Sequence, residues 1–283
     1  MNVPQMREGA VRCLDPHGFH FMRHVEWGDP GNKRVLICVH GLTRSGRDFD
    51  HVAQSLADAY RVVCPDIAGR GRSDWLRDPA DYHYAVYGTD LATLIASLHV
   101  ETVDWLGTSM GGIIGMIMAS LPGSPVRKLV VNDVGCLIPK AALERIGEYV
   151  GAEPAFDSFQ ALEDAMRSVS PFGDLTAEQW HHLAIHVAKQ DEKGKWRFRY
   201  DPGIGRNFHA APLADVDLRR YWQGVHGPAL VIRGENSDLL LAETLEEMRR
   251  RPHTETLTVP RTGHAPMLMD DFQAGAIRRF LLG

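Results

Sequence analysis

Val103-Asp104-Trp105-Leu106-Gly107-Thr108-Ser109-Met110-Gly111-Gly112-Ile113-Ile114-Gly115 decides how the chain is read. Its first four residues have the character of a buried strand and Met110 to Leu121 that of an apolar helix, so Ser109 stands in the turn between them. A serine on so sharp a turn has strained backbone angles, and small neighbours at 107 and 111 keep Cβ atoms from colliding. The turn lifts the hydroxyl above the carboxyl edge of a sheet. The helix that follows offers free amide donors to a developing negative charge. Gly112 and Gly115 extend the close packing beneath it. By itself, G-x-S-x-G also describes a glycine-rich turn that only packs helix on strand, so the rest of the chain must decide.

Outward from that turn, short apolar runs alternate with helical patterns, which is how a largely parallel sheet with crossover helices is written in sequence. The core runs are Val35 to Val39, Arg61 to Pro65, Val103 to Leu106, Lys128 to Asn132, Ala229 to Arg233 and Thr256 to Val259, each nearly continuous in apolar character. Such runs fit strands covered on both faces. Gly18 to Gly28 and the residues around Val11 to Leu14 are expected to form an antiparallel edge hairpin. Helices are expected over Asp48 to Ala59, Ala85 to Leu98, Met110 to Leu121, Leu240 to Arg250 and Phe272 to Leu282. The rhythm breaks after Asn132, because the next convincing core strand lies much farther on than an ordinary crossover requires.

The interrupting stretch has helical spacing over Pro139 to Val150, Phe159 to Val169 and Ala177 to Gln190, with a capping-box pair, Thr176 and Gln179, opening the third. A short aromatic segment, Trp196-Arg197-Phe198-Arg199-Tyr200, follows and ends in the turn Asp201-Pro202-Gly203. The expected organisation is a core over residues 1–136 and 213–283 with a helical cap inserted at 137–212.

With 283 residues and 44% hydrophobic content the chain can bury a substantial core. Its 31 basic and 36 acidic side chains leave a net charge of −5 with no Lys or Arg run, which argues against nucleic acid as a partner. No apolar stretch reads as a signal-peptide core or a membrane span, so a cytoplasmic protein without membrane association is expected, as monomer or homodimer. Cys13, Cys38, Cys64 and Cys136 have no CxxC spacing and are expected to be free thiols.

A serine hydroxyl needs a base within hydrogen-bond reach, usually a histidine oriented by a carboxylate. Four further features bear on that need. His40-Gly41-Leu42-Thr43 follows the first parallel strand, Pro65 to Asp74 follows the next, Gly234-Glu235-Asn236-Ser237-Asp238 follows Ala229 to Arg233, and Gly263-His264 follows the last strand. Together with the Ser109 turn they cover nearly the whole chain, and in this combination the chain resembles the α/β-hydrolase superfamily, specifically its capped serine hydrolases of esterase or lactonase type.

The resemblance implies an α/β fold, a mostly parallel eight-stranded sheet flanked by helices, and a Ser-His-Asp triad. Ser109 would be the nucleophile and His264 the base. Asp238 is the preferred acid, with Asp133, directly after the strand Lys128 to Asn132, as the alternative position and Glu235 as a weaker third. The backbone amides of Leu42 and Met110 would hold the oxyanion. Acyl transfer to water of this kind needs no cofactor and no metal. Serine, where dehalogenases and epoxide hydrolases of this fold carry aspartate, argues against both. Thr108 and Ala265 depart from the pattern of the carbon-carbon bond hydrolases acting on dienoate-like acids, which stay as the second reading, with a small-molecule receptor on the same fold as the third. The charged cap speaks against a lipase lid, so a small, partly polar acyl compound is the expected substrate.

His40, Arg44, Trp180 and Tyr200 are candidate substrate contacts. Against that, His40 suits a structural place in its turn, Arg44 a solvent-facing or Asp-paired role, and Trp180, Trp196, Phe198 and Tyr200 a cap core. His182 and His186 have i, i+4 spacing able to hold zinc, but Leu183 stands where an H-E-x-x-H motif has glutamate. They are read as part of an amphipathic surface.

Overall fold

Short strands, several of them buried nearly along their whole length, build the sheet. The computed structural model describes residues 5–210 and 212–283. A hairpin of β1 (Arg7–Asp15) and β2 (Gly18–Trp27) leads into β3 (Val35–Val39), α1 (Asp50–Leu56), β4 (Arg61–Pro65), α2 (Tyr84–Ser97), β5 (Val103–Thr108), α3 (Met110–Ser120) and β6 (Val126–Asn132). The segment that interrupts the rhythm carries β7 (Leu137–Ile138), α4 (Lys140–Gly147), α5 (Phe159–Val169), α6 (Ala177–Val187), β8 (Ala188–Gln190), β9 (Trp196–Phe198), α7 (Arg206–His209), β10 (Val216–Asp217) and α8 (Arg219–Gly224). Then come β11 (Ala229–Gly234), α9 (Ala242–Arg249), β12 (Thr254–Val259) and α10 (Asp271–Leu282).

The main sheet has eight strands in the order β1-β2-β4-β3-β5-β6-β11-β12. β1 and β2 are antiparallel to each other and β2 to β4, whereas β4, β3, β5, β6, β11 and β12 pair in parallel. This is the mostly parallel α/β fold that the sequence leads one to expect. Because successive residues of a strand face opposite sides, Val35, Ile37 and Val39 enter one core with α2 and α3, while Leu36 and Cys38 enter another with α1 and α10. Both faces are covered, which explains why β3 is buried along its whole length. All carboxyl ends of the parallel strands therefore face one edge, and Ser109, Asp133 and His264 all follow such ends.

Two expected helices end differently from their sequence patterns. Asp48 to Ala59 opens with a 3-10 turn, Gly46–Phe49, before α1 begins at Asp50. Farther on, α6 stops at Val187, where the pattern runs to Gln190, because Ala188–Gln190 pairs antiparallel with β9. The hairpin turn is tied by Asp191, whose side chain accepts from the backbone N–H of Lys193 and of Lys195. The capping box at Thr176 and Gln179 is present, with Thr176 Oγ1 accepting from the Gln179 amide. Leu162, Met166, Trp180, Leu183 and Val187 give α5 and α6 a small core of their own, which Met267 and Met269 join from the loop beyond β12. All four cysteines are buried and free. No helix among the described residues is long and apolar enough to cross a membrane.

Candidate active site

The turn between β5 and α3 holds Ser109 at φ 53° and ψ −115°, a left-handed backbone that a serine adopts only when its surroundings force it. The forcing is steric. A Cβ on residue 111 would lie 1.9 Å from the Val39 carbonyl oxygen, and one on residue 107 would lie 2.2 Å from that of Gly111. Glycine at both places lets β3, β5 and α3 meet, and the Ser109 amide donates to the Asn132 carbonyl at 2.9 Å.

From that position Ser109 Oγ lies 3.0 Å from His264 Nε2, and His264 Nδ1 lies 2.8 Å from Asp133 Oδ2. The pairing fixes the tautomer: Nδ1–H donates to the carboxylate, leaving Nε2 to accept the serine proton. Asp133 is fully buried. Its Oδ1 accepts from the Gly234 amide at 2.7 Å, and its Oδ2 accepts also from Ser237 Oγ at 2.7 Å. These bonds satisfy a carboxylate that burial would otherwise penalise heavily.

Asp238 does not orient His264, which corrects the expectation. It is 47% exposed at its side chain, and its oxygens accept from Arg145 Nε at 2.5 Å and Nη2 at 2.9 Å. The cause lies in the turn after β11. The Ser237 amide donates to the Gly234 carbonyl, and this tight turn directs Ser237 inward, so the next side chain faces out. Glu235 is also elsewhere, accepting from the Arg261 amide.

The turn after β3 approaches the serine closely, since a Cβ on Gly41 would stand 3.7 Å from Ser109 Cβ. Met110 opens α3 directly after the serine, where helix amides lack intrahelical partners. Leu42 is held from behind by Arg70, a guanidinium with no exposure that donates to the carbonyls of Leu42 and Ala68 and to Tyr87 Oη, each at 2.8 Å. It also stacks over the rings of Tyr82 and Tyr87.

A cavity of about 400 Å³ opens above Ser109 and His264. Apolar side chains from the segment between β6 and β11, among them Ile146, Met166, Val169, Phe172 and Phe198, form most of its wall. Of the candidate contacts, Tyr200 and Arg44 line it. Burial pushes the Tyr200 phenol up to about 12, so it stays protonated, and it donates to the Ala152 carbonyl. Arg44 is paired bidentately with Asp48 at 2.8 and 2.7 Å, the Asp-paired role. His40 and Trp180 are not in the wall. His40 is wholly buried, accepts the Ile67 amide at Nε2 and donates from Nδ1 to the Gly41 carbonyl, and burial holds it neutral with its pKa lowered to about 3. Trp180 stacks on Phe172 in the small core of α5 and α6.

Sequence reasoning missed Asn132, Ser237 and Arg70. Asn132, fully buried, donates from Nδ2 to Thr108 Oγ1 and to the Pro266 carbonyl, tying the serine turn to the histidine loop. A polar residue closing the apolar run of β6 was the available signal.

Residues 34–271 match the family profile described as alpha/beta hydrolase fold. The chain belongs to that family. This α/β-hydrolase is 48% identical to a 3-hydroxybutyrate-oligomer hydrolase of Cupriavidus necator, with 98% of each chain covered. It is 28% identical to a pimeloyl-[acyl-carrier protein] methyl ester esterase of Vibrio cholerae, over 86% of this chain and 92% of that one. Among solved structures, a putative hydrolase from Rickettsia typhi superimposes with a TM-score of 0.91 at 31% identity, covering 98% and 99% of the two chains. The chain is a hydrolase with ester-cleaving relatives, in keeping with the serine-hydrolase reading of the Ser109 turn.

Proposed function

We propose that this α/β-hydrolase cleaves esters of short hydroxy acids, of the linear 3-hydroxybutyrate-oligomer kind, through an acyl-enzyme on Ser109. The observation that carries the reaction is the hydrogen-bonded chain Ser109–His264–Asp133 at the floor of a walled cavity. The substrate class is supported by the Cupriavidus relative, which is similar along nearly the whole chain.

In the first half-reaction His264 Nε2 takes the proton of Ser109 as Oγ attacks the ester carbonyl. The tetrahedral oxyanion accepts from the amides of Leu42 and Met110, while Asp133 stabilises the imidazolium. The ester C–O bond then breaks, the imidazolium proton passes to the leaving alkoxide oxygen, which departs as an alcohol, and the acyl group stays on Ser109. Water, deprotonated by His264, attacks the acyl-enzyme, and Ser109 leaves with that proton, releasing the acid. Asn132 and Arg70 hold the two loops between which this occurs. The apolar wall suits the methyl-branched acyl chain, and the Arg145 and Tyr200 groups suit its polar ends.

Linear 3-hydroxybutyrate dimer and trimer, with release of free 3-hydroxybutyrate as readout, test the substrate. Both should be hydrolysed, and Ser109→Ala should abolish the activity together with labelling by a fluorophosphonate probe. Turnover of p-nitrophenyl butyrate without any cleavage of dimer or trimer would retain the chemistry and remove the substrate class. An unlabelled Ser109 in folded protein would remove both.

A further inference from the structure

A second cavity, of about 300 Å³, lies on the other side of the segment that follows β3. Its walls come from the β1–β2 hairpin, the loop after β4, Ser45 and Arg47, and His186 on α6 of the cap. Four guanidinium groups line it, Arg23, Arg47, Arg72 and Arg199, against the two carboxylates Glu8 and Asp66.

Those two carboxylates can balance only two of the four guanidinium groups. Asp66 is engaged with backbone, accepting from the amides of Gly46 and Arg72 at 2.8 Å each. Glu8 pairs with Arg72 at the exposed rim. Arg47 pairs with Asp50. Among the described residues Arg23 and Arg199 pair with no carboxylate, and Arg199 donates from Nε and Nη2 to the single carbonyl of Ala188. Two buried lining residues also hold polar atoms with no hydrogen-bond partner among the described residues, Ser45 Oγ and His24 Nδ1.

His182 and His186 approach Asp50 closely enough for their ligand atoms to lie within 4.8 Å of one another, an arrangement that by distance alone suits a cation. The surrounding charge opposes one. Burial first, and then the charges of Arg47, His182, Arg72 and Arg199, together lower the His186 pKa to about 3, as a positive field does.

We propose that this cavity binds a phosphate group, as the free ion or on a small phosphate monoester, at a site separate from that of Ser109. Several guanidinium forks around a small volume match a tetrahedral oxyanion of two charges better than they match one carboxylate. The site borders the catalytic cavity through one stretch of chain. Gly41, Leu42, Thr43 and Arg44 line the cavity of Ser109, while Ser45 and Arg47 line this one.

Calorimetric titration of the full chain with inorganic phosphate and with glycerol 3-phosphate tests the proposal, with chloride at matched ionic strength as the control. Saturable one-to-one binding is expected for at least one phosphate compound, and the tighter of the two identifies the source. Arg72→Gln and Arg199→Lys should each weaken it about tenfold, the loss of one charge-assisted hydrogen bond. Arg23→Gln, on the exposed face of β2, serves if Arg199→Lys does not fold, and thermal melting checks each variant. Equal binding of chloride, no saturable binding of either phosphate compound, or unchanged affinity in folded variants overturns the assignment.

Discussion

The turns after β6 and β11 each present an aspartate at the carboxyl edge of the sheet, and the two side chains leave in opposite directions. Asp133 sits at φ 55° and is fully buried, with its carboxylate between His264, Ser237 and the Gly234 amide. Asp238 is almost half exposed and spends both oxygens on Arg145. The β11 turn nonetheless shapes the acid's site, because it supplies two of the donors that hold Asp133. One strand end thus provides the carboxylate and the next provides its hydrogen-bond cradle. An aspartate at a familiar chain position takes part only if its backbone angles turn it inward.

The largest effect should follow from removing the inward charge. Asp133→Asn is expected to lower kcat by about 10⁴, the loss seen for the template triad when the histidine is left in the wrong tautomer. Steady-state kinetics on p-nitrophenyl butyrate measure it, and the double variant with Asp238→Asn should be no slower than the single one. A loss of that size from Asp238→Asn alone would reverse the comparison.

Next in size is the cradle. A Cβ on Gly234 would lie 2.4 Å from the Gly263 carbonyl oxygen and 2.6 Å from that of Thr262, both backbone atoms next to His264. Gly234→Ala should therefore shift the histidine loop, costing about a hundredfold in kcat, as misplacements near 1 Å do, and about 1–3 kcal/mol of stability by overpacking. Denaturant melts and kinetics separate the two. Ser237→Ala removes one donor to the buried carboxylate and should cost about tenfold in kcat, in the range of a hydrogen bond to a charged group. Wild-type kcat in Ser237→Ala would show that the Gly234 amide suffices.

Much of this is legible in the sequence. Ser109 and His264 stand where a motif and a strand order agree, and five of the six core runs recur as β3, β4, β5, β6 and β11 because strands covered on both faces are continuously apolar, while the sixth recurs as β12, the partly exposed edge strand. Direction at turns was not legible. Whether residue 133 or residue 238 points inward depends on φ at a single position and on which neighbour closes the turn, and neither leaves a periodic trace. The same holds for Trp180 and Tyr200, two aromatics of the cap, one in its core and one in the cavity wall. Arg70 was hidden for another reason. A buried guanidinium satisfied by carbonyls and tyrosines looks in sequence like any loop arginine.

The smallest effect belongs to the outward aspartate, and it discriminates between substrates. Asp238 and Arg145 are both partly exposed, so their ion pair is worth at most about 1 kcal/mol, and Asp238→Asn should leave the melting temperature nearly unchanged. With neutral p-nitrophenyl butyrate, kcat and KM should stay within about twofold of wild type, the scale of a lost surface pair. Arg145 also lines the cavity of Ser109, and the substitution removes its counter-charge. A substrate ending in a free carboxylate, such as a linear hydroxy-acid oligomer, should then bind more tightly, with KM falling about two- to threefold at low salt and the gain fading as ionic strength screens the pair. If KM for the charged and neutral substrates changed by the same factor, Arg145 would serve only to hold Asp238 on the surface.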